Sequence, residues 1–255
     1  MTRSYHVLSS ALFRFGLLVL TVSSASADPF VQTDLVSDIA GLATITDPQL
    51  VNPWGLSHSA TSPFWTSNQG TNTATLYGVT GGTTVAKVNI NPPSGFVAIP
   101  PIGGPGPTGQ VNNTNTLSFP VIGGDANFAH FIFANLNGTI SAWDTGPTAF
   151  VQATTPGASY TGLAINQAQT QLYAANSAGT GSINVFNSTF APVSLPGAFT
   201  DPNLPAGLVP FNVRDIGGKV YVTYAPAGRP AQQSATAGMG IVDVFSTSTG
   251  CLSKG

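Results

Sequence analysis

Three asparagines recur at one position of a repeated sequence pattern, and their side chains could do chemistry. Asn68, Asn135 and Asn176 each follow a small residue at the end of a predicted strand. If the repeats surround a common axis, these residues would form a ring of amide oxygens near a channel mouth, and such hard donors suit Ca²⁺. The alternative is turn formation, because asparagine hydrogen-bonds its neighbouring backbone and tolerates left-handed geometry. The pattern favours turn formation.

Other residues with functional side chains are scattered along the chain. His58 follows a predicted strand and His130 precedes one, positions that are more typical of hydrogen-bonded rim residues than of catalytic ones. Arg214 and Asp215 are adjacent, which favours a local polar pair at a sheet edge. Three tryptophans could stack on sugars, although their places in predicted strands favour core packing: Trp54, Trp65 and Trp143. Because no spacing marks a serine or cysteine nucleophile, no catalytic residue is predicted.

The elements that would position these side chains are copies of one β-unit. Each copy closes in a strand with an apolar, polar, apolar, aromatic and small residue in order. The four strands read Ala-Thr-Leu-Tyr-Gly (74–78), Ile-Ser-Ala-Trp-Asp (140–144), Ile-Asn-Val-Phe-Asn (183–187) and Val-Asp-Val-Phe-Ser (242–246). Upstream, a shorter strand carries Gly or Asn between apolar neighbours, as in Pro-Trp-Gly-Leu, Tyr-Thr-Gly-Leu and Pro-Phe-Asn-Val. Such a residue indicates close backbone approach at a crowded axis.

The spacing of the aromatics predicts the fold. Tyr77, Trp143, Phe186 and Phe245 are 66, 43 and 59 residues apart. Loop insertions near 91–116 and 225–240 would account for the longer gaps and leave a period of about 40–45 residues, the blade length of a β-propeller. A β-sandwich is the alternative, but the fourfold recurrence of one pattern favours the propeller. We therefore predict an all-β propeller of four-stranded antiparallel blades over residues 28–255, with the four aromatics packed between blades.

The N-terminus predicts export. Arg3 and Arg14 flank an apolar stretch that ends in Ala25-Ser26-Ala27, a small-x-small cleavage site, so residues 1–27 are predicted to be a signal peptide. The apolar run over 15–22 is too short to cross a bilayer, which needs about 20 apolar residues. We expect a secreted or cell-surface protein, with the periplasm as a further option, and no membrane span in the mature chain.

Charge and composition exclude several classes of function. The 228 residues of 28–255 (255 minus 27) contain five Lys or Arg, nine Asp and no Glu, a net charge of −4 (5 minus 9). No basic patch is present, which excludes nucleic acid as a partner. The scarcity of Glu, Lys, Arg and Met disfavours helices, whereas abundant Thr, Val and Phe favour strands. The single cysteine, Cys251, excludes an intramolecular disulfide and a cysteine-based zinc site.

The chain resembles a family of secreted bacterial conserved hypothetical proteins with a propeller-like repeat, some of which carry a PEP-CTERM sorting tail. The similarity covers 33–57, 64–78, 133–144, 160–165, 172–176 and 210–225, and Asp-Pro-x-Leu-Val-Asn-Pro-Trp-Gly at 47–55 is its most specific part. The resemblance implies a six-bladed propeller similar in shape to NHL-repeat and lactonase-type proteins, without an established activity or a catalytic residue to carry over. Because family members continue further, it also implies a C-terminal truncation, about four blades of six, and an open or incomplete ring.

Two functions remain open at this point. The first is a binding or interaction module for a protein, small molecule or glycan. The alternative is a metal-dependent lactonase-like hydrolase acting in the channel; lactonase-type proteins use Glu, Asn and Asp to hold a divalent metal, and this chain lacks Glu. We predict the binding module, without a resident cofactor but with Ca²⁺ as an option, and with four binding candidates at the channel mouth: Asn68, Asn135, Asn176 and His58.

Overall fold

The computed structural model describes residues 31–101, 104–125 and 128–253. The predicted signal peptide, residues 1–27, lies outside the described residues. Contacts divide the chain after residue 32, and the β-structure lies in the unit formed by 33–255. The described residues contain eighteen strands and one short helix, which confirms the all-β class. Among them, no helix combines the length and the apolar character that a membrane crossing requires.

Most strands belong to four consecutive antiparallel sheets. The first sheet contains β3 (Pro53–Ser57), β4 (Phe64–Asn68), β5 (Thr73–Thr80), β6 (Thr84–Lys87) and β7 (Val97–Ala98). The second contains β8 (Pro107–Asn112), β9 (Phe131–Asn135), β10 (Thr139–Trp143) and β11 (Phe150–Thr154). The third contains β12 (Tyr160–Ile165), β13 (Gln171–Asn176), β14 (Ser182–Asn187) and β15 (Pro192–Val193). The fourth contains β16 (Leu208–Ile216), β17 (Lys219–Pro226) and β18 (Ile241–Ser246).

Two further pieces of regular structure lie outside these sheets. Before them, β1 (Val36–Ser37) and β2 (Ile45–Thr46) pair in parallel with each other. The connection between β17 and β18 contains the helix α1 (Arg229–Gln233), so part of the insertion predicted near 225–240 is helical and its first two residues belong to β17.

The sheets have the arrangement of propeller blades. The first strand of each sheet contacts the first strand of the next, so that β3 neighbours β8, β8 neighbours β12, and β12 neighbours β16. These four strands, called the inner strands below, therefore follow one another around an axis in sequence order. Within each sheet the remaining strands pair outwards as an antiparallel meander, as in a blade.

Each inner strand is irregular at the same point. The pairing with the second strand shifts register at Pro53/Gly55, Pro107/Gln110, Tyr160/Gly162 and Pro210/Asn212. Such bulges bend a strand and increase its twist. A Cβ atom added at Gly55, Gly109 or Gly162 would overlap the backbone of the next inner strand. The glycines predicted to permit close approach thus lie where the backbones meet, and Asn212 takes the fourth place.

The prediction of a loop insertion near 91–116 is partly wrong. Residues 107–112 form β8, the inner strand of the second sheet, and 97–98 form β7 beside β5. Pro107 and Gly109 resemble turn residues in the sequence. In the structure proline is the first residue of its strand, a tolerated position, and Gly109 passes the backbone of Gly162 and Leu163.

The hydrophobic core lies between neighbouring sheets, and the aromatic column contributes to it. Phe186 packs with Tyr160 between the second and third sheets, and Phe245 packs between the third and fourth. Trp143 is half-buried against the cluster of the first and second sheets. These three positions confirm the prediction. Tyr77 is buried, but its hydroxyl contacts the segment that precedes the first sheet rather than another blade.

That contact is part of a buried polar cluster around Asp47. The Tyr77 hydroxyl donates to Asp47 Oδ2 at 2.6 Å, Lys87 Nζ lies 2.8 Å from the same oxygen, and the Gln49 amide donates to Oδ1 at 3.0 Å. Burial alone would raise the pKa of Asp47, but the three donors outweigh it and hold the pKa below 3.8. Burial and the neighbouring carboxylate raise the pKa of Tyr77. The cluster therefore ties the segment before β3 to the outer strands of the first sheet.

Candidate functional site

The carboxyl ends of the inner strands surround a cavity of about 440 Å³, called the mouth below. All four sheets contribute to its wall. The polar lining residues are Ser57, His58, Gln110, Asn112, Gln169, Arg214 and Asp215. A narrower cavity of about 160 Å³ is also lined by all four inner strands and shares Leu56, Gln110 and Arg214 with the mouth. Some residues of the mouth therefore also line the space between the four inner strands.

Three residues that line the mouth carry buried oxygen atoms without hydrogen-bond partners among the described residues. Ser57 Oγ, Gln110 Oε1 and Asp215 Oδ2 are all enclosed, and no described residue bonds to them. Gln110 is only 3% exposed, and its Nε2 donates to the carbonyl oxygens of Gly55 and Trp65. This anchoring fixes the Gln110 side chain and leaves its oxygen unpaired. Four further oxygens of this kind lie away from the mouth, so enclosure of the three marks polar residues of the wall without assigning them to a ligand.

Arg214 brings a positive charge to the same wall. Its side chain is exposed, and within the described part of the chain no carboxylate or hydrogen-bond acceptor is paired with it. Asp215, its neighbour in β16, forms no ion pair with it. An exposed guanidinium beside polar side chains suits a ligand that carries both an anion and hydroxyl groups.

His58 is one of the residues that line the mouth. Its ring packs edge-on against Phe64, with centroids 4.8 Å apart. Nδ1 lies 2.8 Å from the carbonyl oxygen of Ser59. Since a carbonyl can only accept, Nδ1 is the donor in this hydrogen bond.

Asp215 is the acidic group of the mouth. Its Oδ1 accepts a hydrogen bond from the Gly218 amide at 3.2 Å, whereas Oδ2 has no partner among the described residues. Burial raises the pKa of Asp215 above 3.8, and the Gly218 bond offsets this in part. The ionised carboxylate is therefore disfavoured in the folded protein, a cost that is typical of a functional position.

We expect Asp215→Asn to raise the thermal midpoint at pH 7. The folded-state pKa is raised, so ionisation destabilises the native state as pH increases from the unfolded pKa through the folded one. Asparagine removes that charge and still offers an oxygen to Gly218. The gain should disappear near pH 3, where both proteins are neutral at this position. Equal midpoints at pH 7 would contradict the assignment of an unfavourable charge.

The three predicted asparagines do not lie at the mouth. Their backbone partners in the inner strands are Pro53, Pro107 and Tyr160, which lie at the opposite, amino-terminal ends. The structure therefore separates Asn68, Asn135 and Asn176 from His58. The prediction that the three amide oxygens form a ring at a common mouth is wrong. Strand direction accounts for this, because the second strand of an antiparallel pair ends where the first begins.

The asparagines instead bond within their own sheets. Asn68 Nδ2 donates to Thr73 and Thr75 hydroxyls at 3.1 and 2.9 Å, and Asn135 Nδ2 donates to Thr139 and Ser141 hydroxyls. Asn176 Oδ1 accepts from the Ser159 and Ala178 amides, so the predicted role in a turn is confirmed for this residue. Asn68 and Asn135 are fully buried, with Oδ1 atoms that no described residue contacts as a donor.

The other sequence candidates are distributed over different environments. Trp65 is 2% exposed and belongs to the core. Trp54 on β3 is 36% exposed, and its ring centroid lies 6.0 Å from that of Phe211 on β16, so side chains of these two inner strands contact each other. Sequence reasoning missed Gln110 and Asn112. The available signal was Pro-Thr-Gly-Gln at 107–110, which matches Pro-Trp-Gly-Leu at 53–56.

The mouth does not fit the Ca²⁺ that the sequence allows as an option. Ca²⁺ takes six to eight oxygen ligands, including several carboxylates in tight sites. The mouth offers the single carboxylate of Asp215, and the Arg214 guanidinium opposes a cation there. Over 31–101, 104–125 and 128–253, no three His, Cys, Asp or Glu side chains gather closely enough to hold a metal.

Comparison with known proteins gives weak likenesses to solved structures. No protein-family model and no curated protein match the chain. A protein of unknown function from Bacteroides thetaiotaomicron aligns with a TM-score of 0.47 and 11% identity over 79% of this chain and 42% of its own. Virginiamycin B lyase from Staphylococcus aureus aligns with a TM-score of 0.41 and 10% identity over 76% of this chain and 69% of its own.

A third structure, a candidate 6-phosphogluconolactonase from Bacteroides uniformis, aligns with a TM-score of 0.42 and 12% identity over 79% of this chain and 57% of its own. The chain thus spans about two fifths of the first structure and under three fifths of the third. Nothing about its activity follows from similarities at this level, since shared folds host unrelated functions. The fold itself defines the class: an all-β protein of the propeller type, built from successive antiparallel sheets.

Proposed function

We propose that this protein is a secreted binding protein that holds an acidic sugar at the mouth. The predicted signal peptide supports export. The observation that carries the proposal is the exposed guanidinium of Arg214, without an acceptor among the described residues, in the wall of a cavity that is also lined by polar side chains such as Gln110, Asn112 and Gln169. Sugar hydroxyls can both donate to and accept from such amide groups. Arg214 would receive the carboxylate in a bidentate pair.

The mouth supports binding rather than turnover. Its serine, Ser57, has no hydrogen bond to a base, and His58 uses Nδ1 on the Ser59 carbonyl instead of on a carboxylate. A nucleophile needs such a base within reach. The proposal is therefore for a wall that orients a hydroxylated anion, not for one that attacks it.

The test is calorimetric titration of glucuronic acid and glucose into the wild-type protein and two variants. Arg214→Gln should weaken glucuronic acid binding at least tenfold, because hydrogen bonds between charged groups contribute about 1.5–3 kcal/mol and 1.4 kcal/mol is tenfold. Glucose binding should be unchanged in this variant. Lys219→Gln is the matched control, since Lys219 is an exposed cation on the neighbouring strand β17 and does not line the mouth.

Two results would overturn the proposal: no binding of glucuronic acid to the wild type, or equal losses in both variants. A stoichiometric Ca²⁺ in the purified protein, with lactone hydrolysis abolished by a chelator, would support the lactonase-like hydrolase in its place.

A further inference from the structure

A second cavity, called the cleft below, lies between the first and second sheets. Its volume is about 470 Å³. Residues of the loop between β3 and β4 form one side, and residues that precede β9 form the other. Its interior is aromatic, and its lining includes Trp65, Phe128, His130, Phe131 and Trp143.

The aromatic side chains of the cleft form a continuous series of contacts. Ring centroids are 4.7 Å apart for Phe128 and His130, 6.1 Å for His130 and Trp143, 4.8 Å for Trp143 and Trp65, and 4.0 Å for Trp65 and Phe131. Trp65 and Phe131 are buried, whereas the other three rings are half-buried. The series therefore begins in the core and ends in rings that a ligand can reach.

The cleft differs from the mouth in charge. Among the described residues, no Asp, Glu, Lys or Arg lines it, and its polar groups are the imidazole of His130 and the hydroxyls and amides of serine, threonine and asparagine. The C–H groups on one face of a sugar ring carry small positive charges and suit the negative face of an aromatic ring. Hydroxyls at the sugar's edge suit a rim such as Thr61, which is exposed. This chemistry fits a neutral sugar unit.

The mouth and the cleft adjoin each other. Asn112 lines both cavities, and its Nδ2 donates to the carbonyl oxygen of His130 at 3.0 Å. The loop from Ser57 to Phe64 also contributes to both, with His58 at the mouth and Thr61 at the cleft. One side chain and one loop therefore border both cavities.

We infer that the cleft is a second subsite and that the ligand is an oligosaccharide, with an acidic unit at the mouth and a neutral neighbour stacked in the cleft. This inference rests on the proposed function. It assigns Phe128, His130 and Trp143 to ligand stacking. For Trp143, the sequence favours core packing instead.

The experiment compares three probes by calorimetry: glucuronic acid, cellobiouronic acid (glucuronic acid linked to glucose) and cellobiose. Wild-type protein should bind cellobiouronic acid about tenfold tighter than glucuronic acid. Phe128→Ala should remove that gain and leave glucuronic acid binding unchanged. Tyr221→Ala, which removes a half-buried ring outside both cavities, should keep the gain. Arg214→Gln should abolish the preference for cellobiouronic acid over cellobiose.

A second variant tests the same subsite in case Phe128→Ala does not fold. Thr61→Trp adds bulk at an exposed rim position, so it should block the cleft without disturbing the core and should also remove the gain. If glucuronic acid binds but cellobiouronic acid binds no tighter, or if the gain survives both cleft variants, the second subsite is overturned alone. If glucuronic acid fails to bind, the proposed function and this inference fall together.

Discussion

Replacing Gly109 with alanine is expected to lower the free energy of unfolding by about 3 kcal/mol or more. Gly109 lies at the bulge of the inner strand β8, where a Cβ atom would overlap the Leu163 amide nitrogen and the Gly162 backbone. Neither obstacle can rotate away, because both belong to the next inner strand. Since domains have a total stability of about 5–15 kcal/mol, this loss is a large fraction of it.

The matched control is Gly78→Ala. Gly78 is also in a strand and has no positive φ, and the first atom that its new Cβ would meet is the Ala86 carbonyl oxygen at 3.9 Å. Its substitution should be neutral or stabilising by up to about 1 kcal/mol, because alanine restricts the unfolded chain. Urea denaturation of the two variants measures the difference. Similar midpoints for both would show that the inner strands are not in close contact at Gly109.

The second large effect is expected for Phe245→Ala, which should lower the free energy of unfolding by about 3–5 kcal/mol. The Phe245 ring is completely buried and packs edge-on against Phe199, with centroids 5.4 Å apart. It lies in the cluster that joins the third and fourth sheets, so its removal leaves a cavity between two sheets rather than at a surface.

Val242→Ala is the control in the same strand, because Val242 is 59% exposed. Its effect should stay within about 0.5 kcal/mol. Trp143→Ala should fall between the two, since this ring is half-buried. If Phe245→Ala lowered the denaturant midpoint no more than Val242→Ala, the fourth sheet would not be packed on the third in solution.

Much of the fold was predictable because the repeated unit has a regular pattern of apolar, polar and aromatic residues. The alternation of apolar and polar residues in 183–187 and 242–246 marks strands that the structure contains, and the aromatic at the end of each lies in the core. Glycine between apolar residues marked the inner strands at Gly55 and Gly162. These features depend on local periodicity and on one steric requirement, both of which are visible along the chain.

The second inner strand was missed, although Pro-Thr-Gly-Gln at 107–110 matches Pro-Trp-Gly-Leu at 53–56. Pro107 and Gly109 are turn formers by local preference, and only contact with Gly162, which is distant in sequence, gives them a place in a strand. The predicted site failed in part for a related reason. His58 follows an inner strand and lies at the mouth, whereas Asn68 follows a second strand and lies at the other end. Gln110 could not be recognised, because an unpaired buried oxygen exists only in three dimensions.

The bulges on the inner strands divide each of them into two functional parts. Before or at the bulge, atoms join neighbouring blades, as when Thr108 Oγ1 donates to the Tyr160 carbonyl at 2.7 Å. Beyond the bulge, the residues of the mouth follow, among them Ser57, Asn112, Ile165 and Asp215. Gln110 and Ile165 serve both parts, because Gln110 also bonds to the first sheet and Ile165 also packs against the core between the second and third sheets. A combinatorial library at Ser57, Asn112 and Asp215 would vary the ligand with little change to the contacts between blades, which makes this axis a scaffold for engineered binders.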